Sequence, residues 1–290
     1  MAKVHTWRFD VRTYELDEYG HVNNAVYHNY LEEGATQASA AAGFPYDWYM
    51  ARRCLWVIRR MTIRYLTPLR YGDTAELRTW VSDVHRVYSH REYDLRRVGD
   101  DQPVVRARVK WVYVDMDTMR PQRIPEEFEA GFEPTNELED LDIHLHNPTR
   151  FENSPRFESR RVVQRYELDP AAHVNNAVYL NWIEQSAFDA LRRIGWPDHR
   201  LREIGLGIYQ VAHDIEYLQS ARNGDPIVVI SQPVELARVR GAWMHEVRHG
   251  ESGELLAKDY AVGAFLDLET GRPRPLPDDL LEALLKGPSV

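Results

Sequence analysis

Apolar and polar residues alternate over 5–16, "HTWRFDVRTYEL", with Trp7, Phe9 and Val11 on one side of the chain. That period of two predicts a strand with one buried face. The period changes at Asn24. Val26, Tyr27, Tyr30, Leu31 and Ala35 fall at helical spacing, and Gly43 offers a stop, so a long amphipathic helix is predicted. Strands follow over about 54–66, 74–84, 87–98 and 104–115, with turn signals at "YGD" and "VGDD". A strand, a long helix and an antiparallel meander make an α+β unit in which one helix covers one curved sheet.

The unit is written twice. A shift of 152 residues, from Asp17 to Asp169, aligns the copies without a gap. His21 then falls on His173, Asn24 on Asn176, Tyr27 on Tyr179 and Glu32 on Glu184. Far downstream, "VDMDTMRPQRIP" (114–125) still meets "LDLETGRPRPLP" (266–277). The chain reads as a tandem duplication, with a first domain over 1–132 and a second over 157–290. Between them, 133–156 is polar, carries Pro134, Pro148 and Pro155, and has no regular period, which predicts a linker. Two such units are expected to pair as an internal pseudo-dimer, sheets edge to edge and helices on one side.

Composition narrows the class. With 43% hydrophobic residues in a chain of 290, there is enough apolar material for packed cores. No run approaches the ~18 apolar residues of a membrane span. The opening "MAKVHTWRFD" lacks the apolar region of a secretory signal. A single cysteine, Cys54, excludes an internal disulfide, so a cytosolic setting is expected. The net charge of −9 gives no field for nucleic acid. Arginine clusters are the exception: Arg52, Arg53, Arg59 and Arg60 fit either a solvated face or a grip on a phosphate-bearing carrier.

Chemistry is concentrated in the repeated string before each helix. "DEYGHVNN" packs Asp17, His21 and two asparagines into eight residues. Such residues serve turns and helix caps. The same geometry can do more, because a helix start presents unpaired amides and the positive end of the dipole, which stabilise an oxyanion. A carboxylate one loop earlier, Asp17 or Asp169, can act as general base or as nucleophile. His21 and His173 either add a polar group or brace the turn. The chain carries no GxSxG, HExxH, GxGxxG or phosphate-binding glycine loop.

The string Asp-x-x-Gly-His-Val-Asn-Asn-x-x-Tyr, followed by an aromatic amphipathic helix, resembles the signature of hotdog-fold acyl thioesterases. The likeness is to the 4-hydroxybenzoyl-CoA thioesterase-like superfamily, in the tandem (double hotdog) form of the acyl-ACP thioesterases. It implies a long helix wrapped by an antiparallel sheet in each copy, a catalytic aspartate at Asp17 and Asp169, and oxyanion amides near Asn24 and Asn176. In another branch a helical glutamate near Glu32 and Glu184 is catalytic, and here those residues either do that or anchor the helix. The chain departs from the plant acyl-ACP enzymes at Tyr19 and Ala171, where they carry Asn. Pro68 and Ser220 stand near the place of a further acidic residue. The second copy also has Ala172 where the first has Gly20, which predicts two unequal sites.

The expected activity is hydrolysis of acyl-CoA or acyl-ACP thioesters, with no metal or redox cofactor and with CoA or phosphopantetheine as part of the substrate. The acyl chain is expected among Tyr27, Tyr30 and Trp56, or Tyr179, Trp182 and Tyr209. The alternatives are a non-catalytic acyl-binding module and a hotdog hydratase or dehydratase. The latter is disfavoured by the lack of a His-Pro-rich loop.

Overall fold

The computed structural model describes residues 3–100, 102–138 and 140–287. Two compact units divide between Asp142 and Ile143. The first contains β1 (His5–Asp10), α1 (Asn24–Ala41), α2 (Tyr46–Arg52), β2 (Cys54–Tyr65), β3 (Thr74–Val84), β4 (Tyr88–Arg97), β5 (Pro103–Asp115) and α3 (Glu126–Phe132). Its sheet runs β1-β3-β4-β5-β2, antiparallel throughout. In the second unit β6 (Thr149–Arg150) and β7 (Phe157–Val162) precede α4 (Asn176–Arg193) and α5 (Asp198–Glu203). Then come β8 (Leu206–Tyr217), β9 (Pro226–Ala237), β10 (Arg240–His249), β11 (Leu255–Asp267) and α6 (Asp278–Lys286). That sheet runs β8-β11-β10-β9, and both β6 and β7 pair with β9.

Each unit is a hotdog. The sheet alternates because its inner residues meet the long helix: Leu77 and Leu95 of the first unit are fully buried, as are Ala75 and Ile63. Helix α1 turns Ala25, Tyr27, Tyr30, Leu31 and Ala38 toward them. Contact is close enough that a Cβ on Gly34 would stand 2.4 Å from Leu77 Cδ2.

The periodicity does not reveal the four short helices. Each starts behind a proline, at Pro45, Pro125, Pro197 and Pro277, with an acidic residue in its first turn. They close the ends of the units. Phe128 of α3 stacks on Phe44 at 4.1 Å, and Leu280 and Leu284 of α6 are buried against Leu191 and Phe265. The stretch 133–156 also has ordered contacts. Thr135 and Asn136 donate backbone N–H groups to Val81 and Ser82, while Ile143 and Leu145 are buried beside Ala212 and Val262.

Candidate active site

The loop before each long helix is organised by its aspartate. Asp17 Oδ1 accepts from the backbone N–H of Tyr19 (2.8 Å) and of His21 (3.0 Å). Asp169 Oδ1 accepts in the same way from Ala171 (2.8 Å) and His173 (3.1 Å). The backbone of His21 closes the loop, its carbonyl accepting from Asp17 N at 2.7 Å. Both aspartates are half-buried, and among the described residues only Oδ1 carries hydrogen bonds. The other oxygen of each is open to a water.

The helix start follows at once. Asn23 and Asn175 are the N-caps, each side chain accepting from the amide two residues on, Ala25 or Ala177. Asn24 and Asn176 are therefore the first helical residues, at the positive end of the dipole. Their carbonyls accept from Tyr65 OH (3.4 Å) and Tyr217 OH (3.0 Å), which ties the helix start to β2 or β8.

Two buried carboxylates that the sequence reading passed over hold this assembly. Glu15 accepts from Arg12 N (2.7 Å) and Tyr30 OH (2.6 Å). Glu167 accepts from Gln164 N (2.7 Å) and Trp182 Nε1 (3.0 Å). Their carbonyls accept from Asn23 N and Asn175 N. The signal for them was the repeated "YEL" at 14–16 and 166–168.

The inequality expected from Gly20 and Ala172 does not arise in the loop backbone. Gly20 has φ +71° and Ala172 φ +60°, so alanine adopts the same left-handed conformation. Nothing lies within 4 Å of a Cβ placed on Gly20, so no close approach required glycine there. The expected acyl position needs correction as well. Tyr27 and Tyr179 are buried and accept from Leu69 N and Ala221 N, while Tyr30 and Trp182 are held by Glu15 and Glu167. They are core, and of the first unit's aromatic trio Trp56 lines a cavity.

The copies differ in the groups beneath the helix. Glu32 and Glu184 are both half-buried. Glu184 Oε1 stands 3.9 Å from His213 Nε2, and His213 Nδ1 is 2.8 Å from Asp259 Oδ2. His213 and Asp259 are essentially fully buried. Burial pulls the His213 pKa down, but Asp259 outweighs it and the net shift is upward. Beside them His245 Nδ1 pairs with Ser231 Oγ (2.8 Å), which donates to Ser186 Oγ (2.8 Å). Burial lowers the His245 pKa to about 4. The first unit has Met61, Ala107 and Tyr93 where the second has His213, Asp259 and His245. His21 is half-buried, and burial followed by Arg70 lowers its pKa against the opposing pull of Asp17, which favours the neutral ring.

The four arginines do not converge. Arg52 stacks over Trp48 at 4.0 Å. Arg53 is engaged by Asp117. Arg59 and Arg60 lie farther along β2, roughly 20 Å from Arg53 at strand rise. Among the described residues, one set of side chains, Asp83, His85 and His90, is close enough to hold a metal ion, with ligand atoms within 4.8 Å of one another. Hydrogen bonding accounts for much of that closeness, since His90 Nδ1 is 2.8 Å from Asp83 Oδ2.

Comparison with known proteins decides the family. The model of the thioesterase-like superfamily matches residues 11–132 and again 163–284. The chain belongs to that superfamily. A chloroplastic acyl-acyl carrier protein thioesterase of Arabidopsis thaliana is 30% identical over 132 residues, 46% of this chain and 69% of that one. Of the longer plant acyl-ACP hydrolases it matches, the chain spans about half the length. Among solved structures, a Lactobacillus plantarum protein assigned as an oleoyl thioesterase superposes with a TM-score of 0.74 at 19% identity, covering 96% of this chain and 98% of that one. The 12:0-ACP thioesterase of Umbellularia californica gives 0.69 at 17%, covering 89% and 96%. At those identities the likeness is one of fold: the double hotdog. No described helix of this superfamily member is long and apolar enough to cross a membrane.

Proposed function

We propose that the chain hydrolyses acyl thioesters of acyl carrier protein or CoA to free acid and thiol. The observation that carries this reading is the aspartate loop set before a capped helix start, built identically in both copies. Water bound at the open oxygen of Asp17 or Asp169 loses its proton to the carboxylate as it attacks the thioester carbonyl. Amides at Asn24 or Asn176 hold the oxyanion. Collapse of the tetrahedral intermediate breaks the C–S bond, and the thiolate takes up the proton. CoA or phosphopantetheine enters only as part of the substrate. The plant relatives act on acyl-ACP by name, which favours the carrier protein. Arg52, Arg53, Arg59 and Arg60, spread as they are, belong in this proposal to long-range attraction of an anionic carrier, weakened by salt. The cytosolic setting inferred from the single cysteine is part of the same proposal.

A second reading places the working carboxylate of the second unit at Glu184, because the buried His213–Asp259 pair stands behind it. The deciding experiment is free-thiol release from matched panels of acyl-ACP and acyl-CoA. No release from either panel would leave an acyl-binding module in its place.

A further inference from the structure

A cavity of about 240 Å³ opens in the first unit, between the C-terminal half of α1, α2 and the neighbouring ends of the strands. That exceeds the ~150 Å³ apolar cavity known to take up benzene. Its walls are aromatic and aliphatic, with Phe44, Met50, Trp56, Phe128 and Phe132 among them. Thr36, Ser39 and Ser89 add hydroxyls, and one residue of the lining is charged. Arg91 on β4 is only 6% exposed. Among the described residues its single hydrogen bond runs from Nη1 to Thr79 Oγ1 at 3.3 Å. Its guanidinium carbon lies 5.1 Å from the centre of the Phe132 ring, and no described carboxylate pairs with it. Glu92, next in sequence, is taken by Ser82 Oγ (2.9 Å) and Arg108 Nε (2.6 Å).

A guanidinium does not shed its charge in a protein. Set in a mostly apolar wall with no described carboxylate against it, that charge burdens the fold. The second copy shows that the position does not demand it: Arg91 corresponds to Trp243. There the indole packs against an apolar cluster with Phe265 and Leu191, and the cavity is about 60 Å³. The first unit thus has both the space and the uncompensated positive charge.

We propose that this cavity binds the distal end of a long acyl chain that terminates in a carboxylate, with Arg91 as its counterion. The preferred substrates are half-thioesters of long-chain dicarboxylic acids. Chain length follows from α1. With the thioester at Asn24, the cavity begins at Ala35, about 17 Å along the helix. The turnover part of this proposal rests on the thioesterase reading, whereas the binding part does not.

The test has two arms on the intact chain. In the first, quenching of tryptophan fluorescence follows binding of a long-chain fatty acid and of the alcohol of equal length. The acid should bind about 10- to 100-fold more tightly, as for a hydrogen bond to a charged group, and Arg91→Met should abolish the difference. In the second arm, kcat/KM for hexadecanedioyl-CoA should exceed that for palmitoyl-CoA, with the order reversed in Arg91→Met. The variant should also melt higher than the parent, since it removes a buried unpaired charge. Equal binding of acid and alcohol by the unaltered protein overturns the proposal, as does a lower Tm in Arg91→Met, which would reveal a counterion within the chain. Binding of the acid without thiol release from any thioester would sink the thioesterase reading and leave the anion site standing.

Discussion

In the proposed mechanism Asp17 and Asp169 have two tasks that one substitution can separate. Oδ1 holds the loop through two amides, and the proposal assigns the negative charge to general-base chemistry. Asparagine keeps an accepting oxygen for those amides but is no base. The Asp17→Asn, Asp169→Asn double variant should therefore fold as the parent does and lose about 10²–10⁴ in kcat. A folded double variant with parental turnover would transfer the role to Glu32 and Glu184. The single variants rank the two sites, and the loop backbones give no reason to favour one. Ala172 makes a separate point about strain. At φ +60° alanine pays about 1–2 kcal/mol for the left-handed region, against about 0.4–1 that glycine loses through the unfolded chain. Ala172→Gly should gain up to about 1.6 kcal/mol in urea unfolding. Its neutrality would mean that the loop is already relaxed.

At the scale of elements, periodicity served the long pieces well and failed the short ones. The strands expected at 54–66, 74–84, 87–98 and 104–115 agree with β2 to β5 within a residue, because each spans enough alternation to declare its buried face. Helices of six to nine residues cover too few turns to show a stripe, and only their Pro-plus-acid starts announced them. The hydrogen-bonded loop around Asp17 and Asp169 was legible because it repeats. Arg91, His213, Asp259 and His245 were not, because they differ between copies and a search for likeness passes over them. Helix-to-sheet spacing shows the same compensation between copies. Gly34 faces Leu77 in the first unit, whereas the second has Ser186 and Val229 at those positions. Gly34→Ser should cost about 1–3 kcal/mol by overpacking. Adding Leu77→Val should recover part of it, a coupling that a double-mutant cycle measures. Strict additivity of the two changes would show that the helix simply moves outward.

Over the whole molecule, duplication preserved a scaffold and let its buried chemistry diverge, so the two units should answer differently to acid. The second buries His213 and His245 where the first has Met61 and Tyr93, whereas the first buries His28 where the second has Leu180. His213 and His245 act with opposite sign. Asp259 raises the pKa of His213 above its unfolded value, so its contribution is fully present below about pH 6.5 and fades as pH rises through the folded pKa. His245 is held neutral by burial, with a pKa of about 4. The unfolded chain takes up that proton first, so stability is lost as pH falls from about 6.5 toward 4. At 1.36 kcal/mol per unit, the His245 penalty reaches about 3 kcal/mol by pH 4. His245→Gln removes the titration while retaining a polar partner for Ser231. Between pH 7 and pH 4 the variant should lose about 3 kcal/mol less unfolding free energy than the parent, whatever its absolute stability at pH 7. Denaturant unfolding at several pH values, followed by tryptophan fluorescence, supplies the comparison. Parallel curves for the two proteins would mean that His245 is protonated in the folded state and that the Ser186–Ser231–His245 chain carries a buried charge.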